Sequence, residues 1–140
     1  VLSAADHTPT LIFDEIDAGI GGRAGGVVGQ KLWSLTAGAD SGDAGHQVLC
    51  VTHLPQLAGY GDVHFRVNKA VSGERTLTTV QQLTDEERIE ELASMLGTAT
   101  RLTRRSAQEL LERASEVKGR FTYRKGEHSE QLTSPTSAAP

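Results

Sequence analysis

TLIFDEIDAGIGG, residues 10–22, sets a short apolar run against two adjacent carboxylates, Asp14 and Glu15, then a third acid, Asp17, then a string of glycines. A continuous apolar stretch bounded by Pro9 and by acids predicts a buried strand over residues 10–14, in a sheet covered on both faces. The carboxylates then stand at the C-terminal end of that strand. Downstream, Val27, Val28, Lys31, Leu32 and Leu35 recur at helical spacing, with Trp33 adding bulk, which predicts a helix over 23–37. Gly25, Gly26 and Gly29 weaken it, at about 1 kcal/mol each relative to alanine, and point to close packing or a mobile start. The small, polar AGADSGDAGH, residues 37–46, reads as a surface loop. QVLCVTH, residues 47–53, is then a second buried strand, again closing on an ionisable residue, His53. Strand, helix, strand is a βαβ unit, and a right-handed crossover makes its strands parallel. Both strands therefore open on one sheet edge, the edge at which open α/β sheets bind ligands.

The remainder of the chain extends this α/β pattern. Pro55 permits a short helix start over 55–59, and VHFRVNKAV and RTLTTVQQL, either side of Ser72-Gly73, alternate as a β-hairpin should. Thr84 followed by Glu87 makes a capping box, and Ile89, Leu92, Ala93 and Leu96 form the apolar stripe of an amphipathic helix ending at Gly97. Ala107, Leu110, Leu111 and Ala114 repeat that spacing in a helix over 101–117 with a basic start, RLTRR. Beyond Gly119 the chain turns polar and rich in Pro, Ser and Thr, so 1–117 is read as the folded part and 118–140 as a tail, disordered from about residue 126.

A chain of 140 residues is one domain or part of one. At this length about 68–70% of the unfolded surface can be buried. A net charge of −4 supplies no global basic footprint of the kind that tracks along nucleic acid, so most of any DNA contact lies elsewhere. The single cysteine, Cys50, sits in an apolar run and reads as a small hydrophobe in a reducing compartment, which makes the cytoplasm the expected location. No stretch approaches the ~20 apolar residues that span a bilayer, and VLSAADHTPT lacks the features of a signal peptide. VLSAA resembles the end of an amphipathic helix, as though the chain were a fragment lacking its N-terminal part.

The acids at the strand end have a bland reading, in which both face solvent. The functional reading is nucleotide hydrolysis: one carboxylate, Asp14, holds Mg²⁺ through water, while the other, Glu15, orients or deprotonates the water that attacks a γ-phosphate. Adjacent strand residues point to different sides, so two roles need two neighbours. His53 alone would be unremarked, but it closes the neighbouring strand of the same unit and should lie close to Asp14 and Glu15, within reach of the same phosphate.

LIFDEIDAGIGG followed some thirty residues later by VLCVTHLPQLA resembles the C-terminal half of an ABC-type ATPase head, and together with the DEERIEELASMLG helix it is similar to the RecN family of bacterial double-strand-break repair proteins, relatives of the SMC family. The resemblance covers about residues 1–117. It implies a P-loop head fold, ATP and Mg²⁺ as ligands, hydrolysis between two heads of a homodimer, and DNA as partner of the full-length protein. Within it LIFD is similar to the Walker B strand, with Asp14 as indirect Mg²⁺ ligand, Glu15 as catalytic carboxylate and His53 as the switch histidine that contacts the γ-phosphate. AGIGG, residues 18–22, falls at the D-loop that crosses the dimer interface. Gly21 replaces the usual acid there, whereas Asp17 keeps the DExD spacing of SMC-like heads, so Asp17, Gly19, Gly21 and Gly22 are the implied nucleotide-interface residues, the glycines acting through backbone.

The sequence holds no GxxxxGK[ST] phosphate loop and no serine-glycine-glycine signature; by the resemblance these precede residue 1, beyond a coiled coil, and the fragment alone is expected to be inactive. Two other readings stand beside this one: a non-catalytic half-head that supplies only dimer surface, and an ABC transporter ATPase subunit, against which DEIDAG in place of a DEP-type continuation argues. The Arg101, Arg104 and Arg105 cluster reads either as a solvated helix face or as a phosphate contact.

Overall fold

The computed structural model describes residues 9–37, 45–72 and 75–132, with side chains described through residue 120, Ser72 excepted. The expected helix end at VLSAA, most of the 37–46 loop, the turn after Ser72 and the last eight residues lie outside them. The element order is β1 (Thr10–Asp14), α1 (Gly22–Thr36), β2 (Gln47–Val51), α2 (Pro55–Ala58), β3 (Phe65–Ser72), β4 (Arg75–Gln82), α3 (Asp85–Met95) and α4 (Arg101–Leu132). No described helix is long and apolar enough to cross a membrane.

β1 and β2 pair in parallel, with Ile12 opposite Leu49 and Asp14 opposite Val51, as a βαβ unit requires. Alternation then gives the two-stranded sheet distinct faces. Leu11, Phe13, Val48 and Cys50 are half-buried on the side where α1 packs against β2. Ile12, Leu49 and Val51 share the other side and are exposed, Ile12 by 72%. The expectation of a sheet covered on both faces is thereby corrected: among the described residues one helix layer covers one face, and nothing lies over the second.

Of the two readings of the glycines in α1, close packing holds at two positions. A Cβ on Gly29 would stand 2.6 Å from Cδ2 of Tyr60, and one on Gly25 would stand 3.1 Å from Cδ1 of Leu54. These glycines let α1 lie directly against α2 and the turn that follows it, whereas Gly26 faces open space. Trp33 on α1 donates through Nε1 to Asp62 (3.2 Å), and Asp62 also pairs with Lys118 of α4, whose ammonium lies 5.5 Å from the Trp33 ring centre. The corner after α2 is thus tied to a helix on each side.

The β3–β4 hairpin is antiparallel, with Val67 opposite Val80. One face carries Phe65, Val67, Val71 and Val80, all exposed. The other turns to α3 through polar contacts: Arg66 bonds Gln81 and pairs with Glu91 at 3.5 Å, and Gln81 bonds Glu87. Thr84 and Glu87 form the expected capping box, each side chain bonded to the other residue's backbone N–H. Leu92 and Ala93 of α3 meet Ala107 of α4 in a fully buried core flanked by Ala58, Ile89, Met95, Leu96 and Leu111. Arg88 closes this layer by donating to the carbonyls of Ala58, Gly59 and Gly61 at the end of α2.

α4 begins where expected but continues past 117 to Leu132, with Gly119 inside it. A single interior glycine costs a helix about 1 kcal/mol without ending it, and no proline interrupts the chain until Pro135. The expected tail over 118–140 therefore starts as helix, because the polarity that marked it does not break one.

Candidate functional site

Both parallel strands end at one edge, and the site is built on the turns that leave them. Asp14 closes β1 with its side chain exposed, and Glu15, also exposed, follows with φ of 50°. A left-handed backbone costs a residue with a Cβ of order 1 kcal/mol or more and persists only where its surroundings impose it. Here the turn is held by Ala18 N–H donating to the Glu15 carbonyl (3.1 Å) and Ile20 N–H to the Asp17 carbonyl (2.9 Å). Gly19, at φ 82°, makes the second left-handed step that brings the chain to Gly21, the N-cap of α1.

The reversal at Glu15 turns Asp17 inward, where it is 2% exposed. Its Oδ2 accepts the hydroxyl of Thr52 and the backbone N–H of His53 (2.8 Å), and lies 3.1 Å from Nδ1 of the His53 ring. Thr52 in turn accepts the N–H of Leu54 at 3.0 Å. The other carboxylate oxygen, Oδ1, is buried and has no hydrogen-bond partner among the described residues. Burial by itself would raise the Asp17 carboxyl, but the bonds from Thr52 and from the His53 N–H outweigh it and hold the group below the ordinary aspartate value. Burial, and then the Asp17 charge, push the half-buried Cys50 thiol up, so it stays an inert, uncharged side chain under the site.

Sequence spacing placed His53 beside Asp14 and Glu15. Among the described residues its bonds run instead to Asp17, and the imidazole, 74% exposed, stands at the open rim. Asp17, grouped by resemblance with the loop glycines at a nucleotide interface, faces into its own chain, while Gly19 and Gly21 have open space where a Cβ would stand. Gly22 lies against the Gln56 side chain, 3.2 Å from a Cβ position. Thr52 was not singled out from sequence; the signal was a hydroxyl immediately after an apolar strand, where a side chain can reach a neighbouring turn.

Among the described residues no cluster of His, Cys, Asp or Glu could hold a metal by itself. Mg²⁺ in general keeps several waters and takes one or two carboxylates plus substrate phosphates. Asp14 offers one such exposed carboxylate. Of the basic cluster, Arg104 pairs with Glu90 at 2.8 Å and Arg105 with Glu109 at 3.3 Å, so those charges are met within the chain. A cavity of ≈ 350 Å³ lined by Asp62, Asp85, Arg88 and Lys118 lies between α3 and α4 and contains none of the strand-end residues.

No protein-family model matches the chain. Individual proteins do. "DNA repair protein RecN" of Halalkalibacterium halodurans is 39% identical over 120 residues, covering 84% of this chain and 20% of that protein. The protein of the same name from Bacillus subtilis is 36% identical over the same shares. That of Xylella fastidiosa (strain 9a5c) is 49% identical over 92 residues, 66% of this chain and 15% of its own length. The chain thus spans about a fifth of the length of the curated relatives it matches.

Proposed function

Because the chain belongs to the RecN family as a segment of it, we propose that it is the C-terminal part of an SMC- or ABC-type ATPase head in a DNA repair protein. In this reading residues 1–117 form the lobe that carries Walker B, D-loop and switch histidine, and the longer protein supplies the phosphate loop and signature segment. The observation that carries the proposal is the Asp17 tie: it fastens the turn after β1 to the turn after β2, so Asp14, Glu15 and His53 belong to one assembled edge.

ATP binds at this edge, between two heads of a homodimer. Asp14 would hold Mg²⁺ through water, and the ion would supply neutralisation of charge on the phosphates. Glu15, whose backbone is left-handed just after the strand, aligns the attacking water and takes its proton in this reading. His53 presents its ring from the second turn to the γ-phosphate. The 18–22 loop meets the opposite head through its glycine backbone. Phosphoryl transfer of this kind is achieved by positioning and charge stabilisation, with little covalent work for the protein.

The remaining partner is the N-terminal half of the same head. Parallel sheets occur almost only with both faces covered, and the exposed Ile12, Leu49 and Val51 offer an apolar side for that half to complete. With a net charge of −4 and two of the clustered arginines paired, DNA contact is assigned to the rest of the protein. Replacing Glu15 with glutamine in the full-length protein tests the reading. Nucleotide binding is expected to survive, and turnover to fall by about 10²–10⁴, the usual worth of a positioned acid or base. Turnover within threefold of the unsubstituted protein would refute the role.

A further inference from the structure

We propose that Asp17 is the positioning residue for His53, holding the imidazole by Nδ1 and its backbone by the N–H so that Nε2 is the ring nitrogen presented to the nucleotide. The inference rests on the ATPase reading of the site and adds to it a residue that acts through the histidine.

Geometry carries the argument. The His53 side chain is 74% exposed, so packing does not fix its ring, and an exposed side chain left to itself changes rotamer on the picosecond to nanosecond scale. Its described anchor is one oxygen, Asp17 Oδ2, at 3.1 Å from Nδ1. A carboxylate only accepts, so its approach favours the proton on Nδ1 and leaves Nε2 on the far side of the ring, facing out. The same oxygen takes the His53 N–H at 2.8 Å, which fixes the direction in which the side chain leaves the main chain. Ring and backbone are thus approached by one atom, itself buried, since Asp17 is 2% exposed.

A purely structural tie would not need a carboxylate. The hydroxyl of Thr52 and the N–H of His53 could be accepted by a neutral amide of the same length. The buried acid instead keeps Oδ1 without a hydrogen-bond partner among the described residues, which costs desolvation. What the charge adds is a firm hold on an imidazole that stands in water.

The test is a mutant cycle in the full-length protein, read as kcat and KM for ATP hydrolysis in Asp17→Asn, His53→Ala, the double variant and Thr52→Val. Asp17→Asn is expected to lower kcat by about 10–100-fold, as loss of an outer-shell partner does, with KM changed less than threefold. In the His53→Ala background it should cost less than about twofold more, because residues acting as a unit are non-additive. Thr52→Val removes a bond to the same oxygen and should lower the melting temperature. Asp17→Glu keeps the charge but displaces it by one methylene, and serves if Asp17→Asn does not fold: the kcat loss should again be absent in the His53→Ala background. A slow His53→Ala enzyme combined with undiminished kcat in both Asp17 variants overturns this inference alone, as does a full further loss in the double variant. Undiminished kcat in His53→Ala itself overturns the ATPase role of His53 and this inference with it.

Discussion

An aspartate in water releases its proton near a pH of about 3.9, and the Asp17 carboxyl is held below that by the Thr52 hydroxyl and His53 N–H despite its burial. The sign of the linkage follows. A folded-state value below the unfolded one contributes stability that is present above about pH 4 and is lost as pH falls through the folded value. The Asp17 carboxyl carbon reports its own protonation: that change in its NMR shift should have a midpoint under the ordinary value of about 3.9. A midpoint at or above that value would show the carboxylate is not held as described. The strand-end positions of Asp14, Glu15 and His53 were readable because each closes an apolar run. The inward turn of Asp17 was not, since it depends on a left-handed Glu15 and on partners 35 and 36 residues away, neither of which leaves a local pattern.

Elements were most legible where a local rule decides them. The capping box at Thr84 and Glu87 was written in the spacing and formed as read. The start of α4 is held by a similar exchange between Thr100 and Thr103, each donating a backbone N–H to the other's hydroxyl at 2.8–3.2 Å, but two threonines lack the acid that makes such a box recognisable. In α1 the glycines could mean mobility or contact, and only the neighbouring Tyr60 and Leu54 decide the matter. Gly29→Ala forces a Cβ to 2.6 Å from the Tyr60 ring and 3.3 Å from the Leu57 backbone. The helix-propensity gain of about 1 kcal/mol from removing a glycine is set against overpacking of about 1–3 kcal/mol. Denaturant unfolding of the full-length protein should therefore show Gly29→Ala as destabilising and Gly26→Ala, which meets open space, as stabilising. The reverse order would mean α1 and α2 are not in contact.

For the whole molecule, the apolar run of β1 correctly announced a strand in a parallel sheet, and overstated how much of it these residues cover. Sequence hydrophobicity reports the surroundings of the complete protein, and the chain matches only about a fifth of its relatives' length. The isolated 140-residue chain is accordingly expected to bind the apolar dye ANS through Ile12, Leu49 and Val51, and Phe65, Val67 and Val80 of the hairpin, and to lose that fluorescence when joined to the rest of a RecN-length protein. Equal fluorescence in the joined protein would place the covering partner elsewhere. The tie between the two strand-end turns also has a mechanical meaning. Since one buried oxygen bonds both, the 15–21 turn cannot be pulled away from residues 52–54 without breaking the bonds to Thr52 and to the His53 N–H.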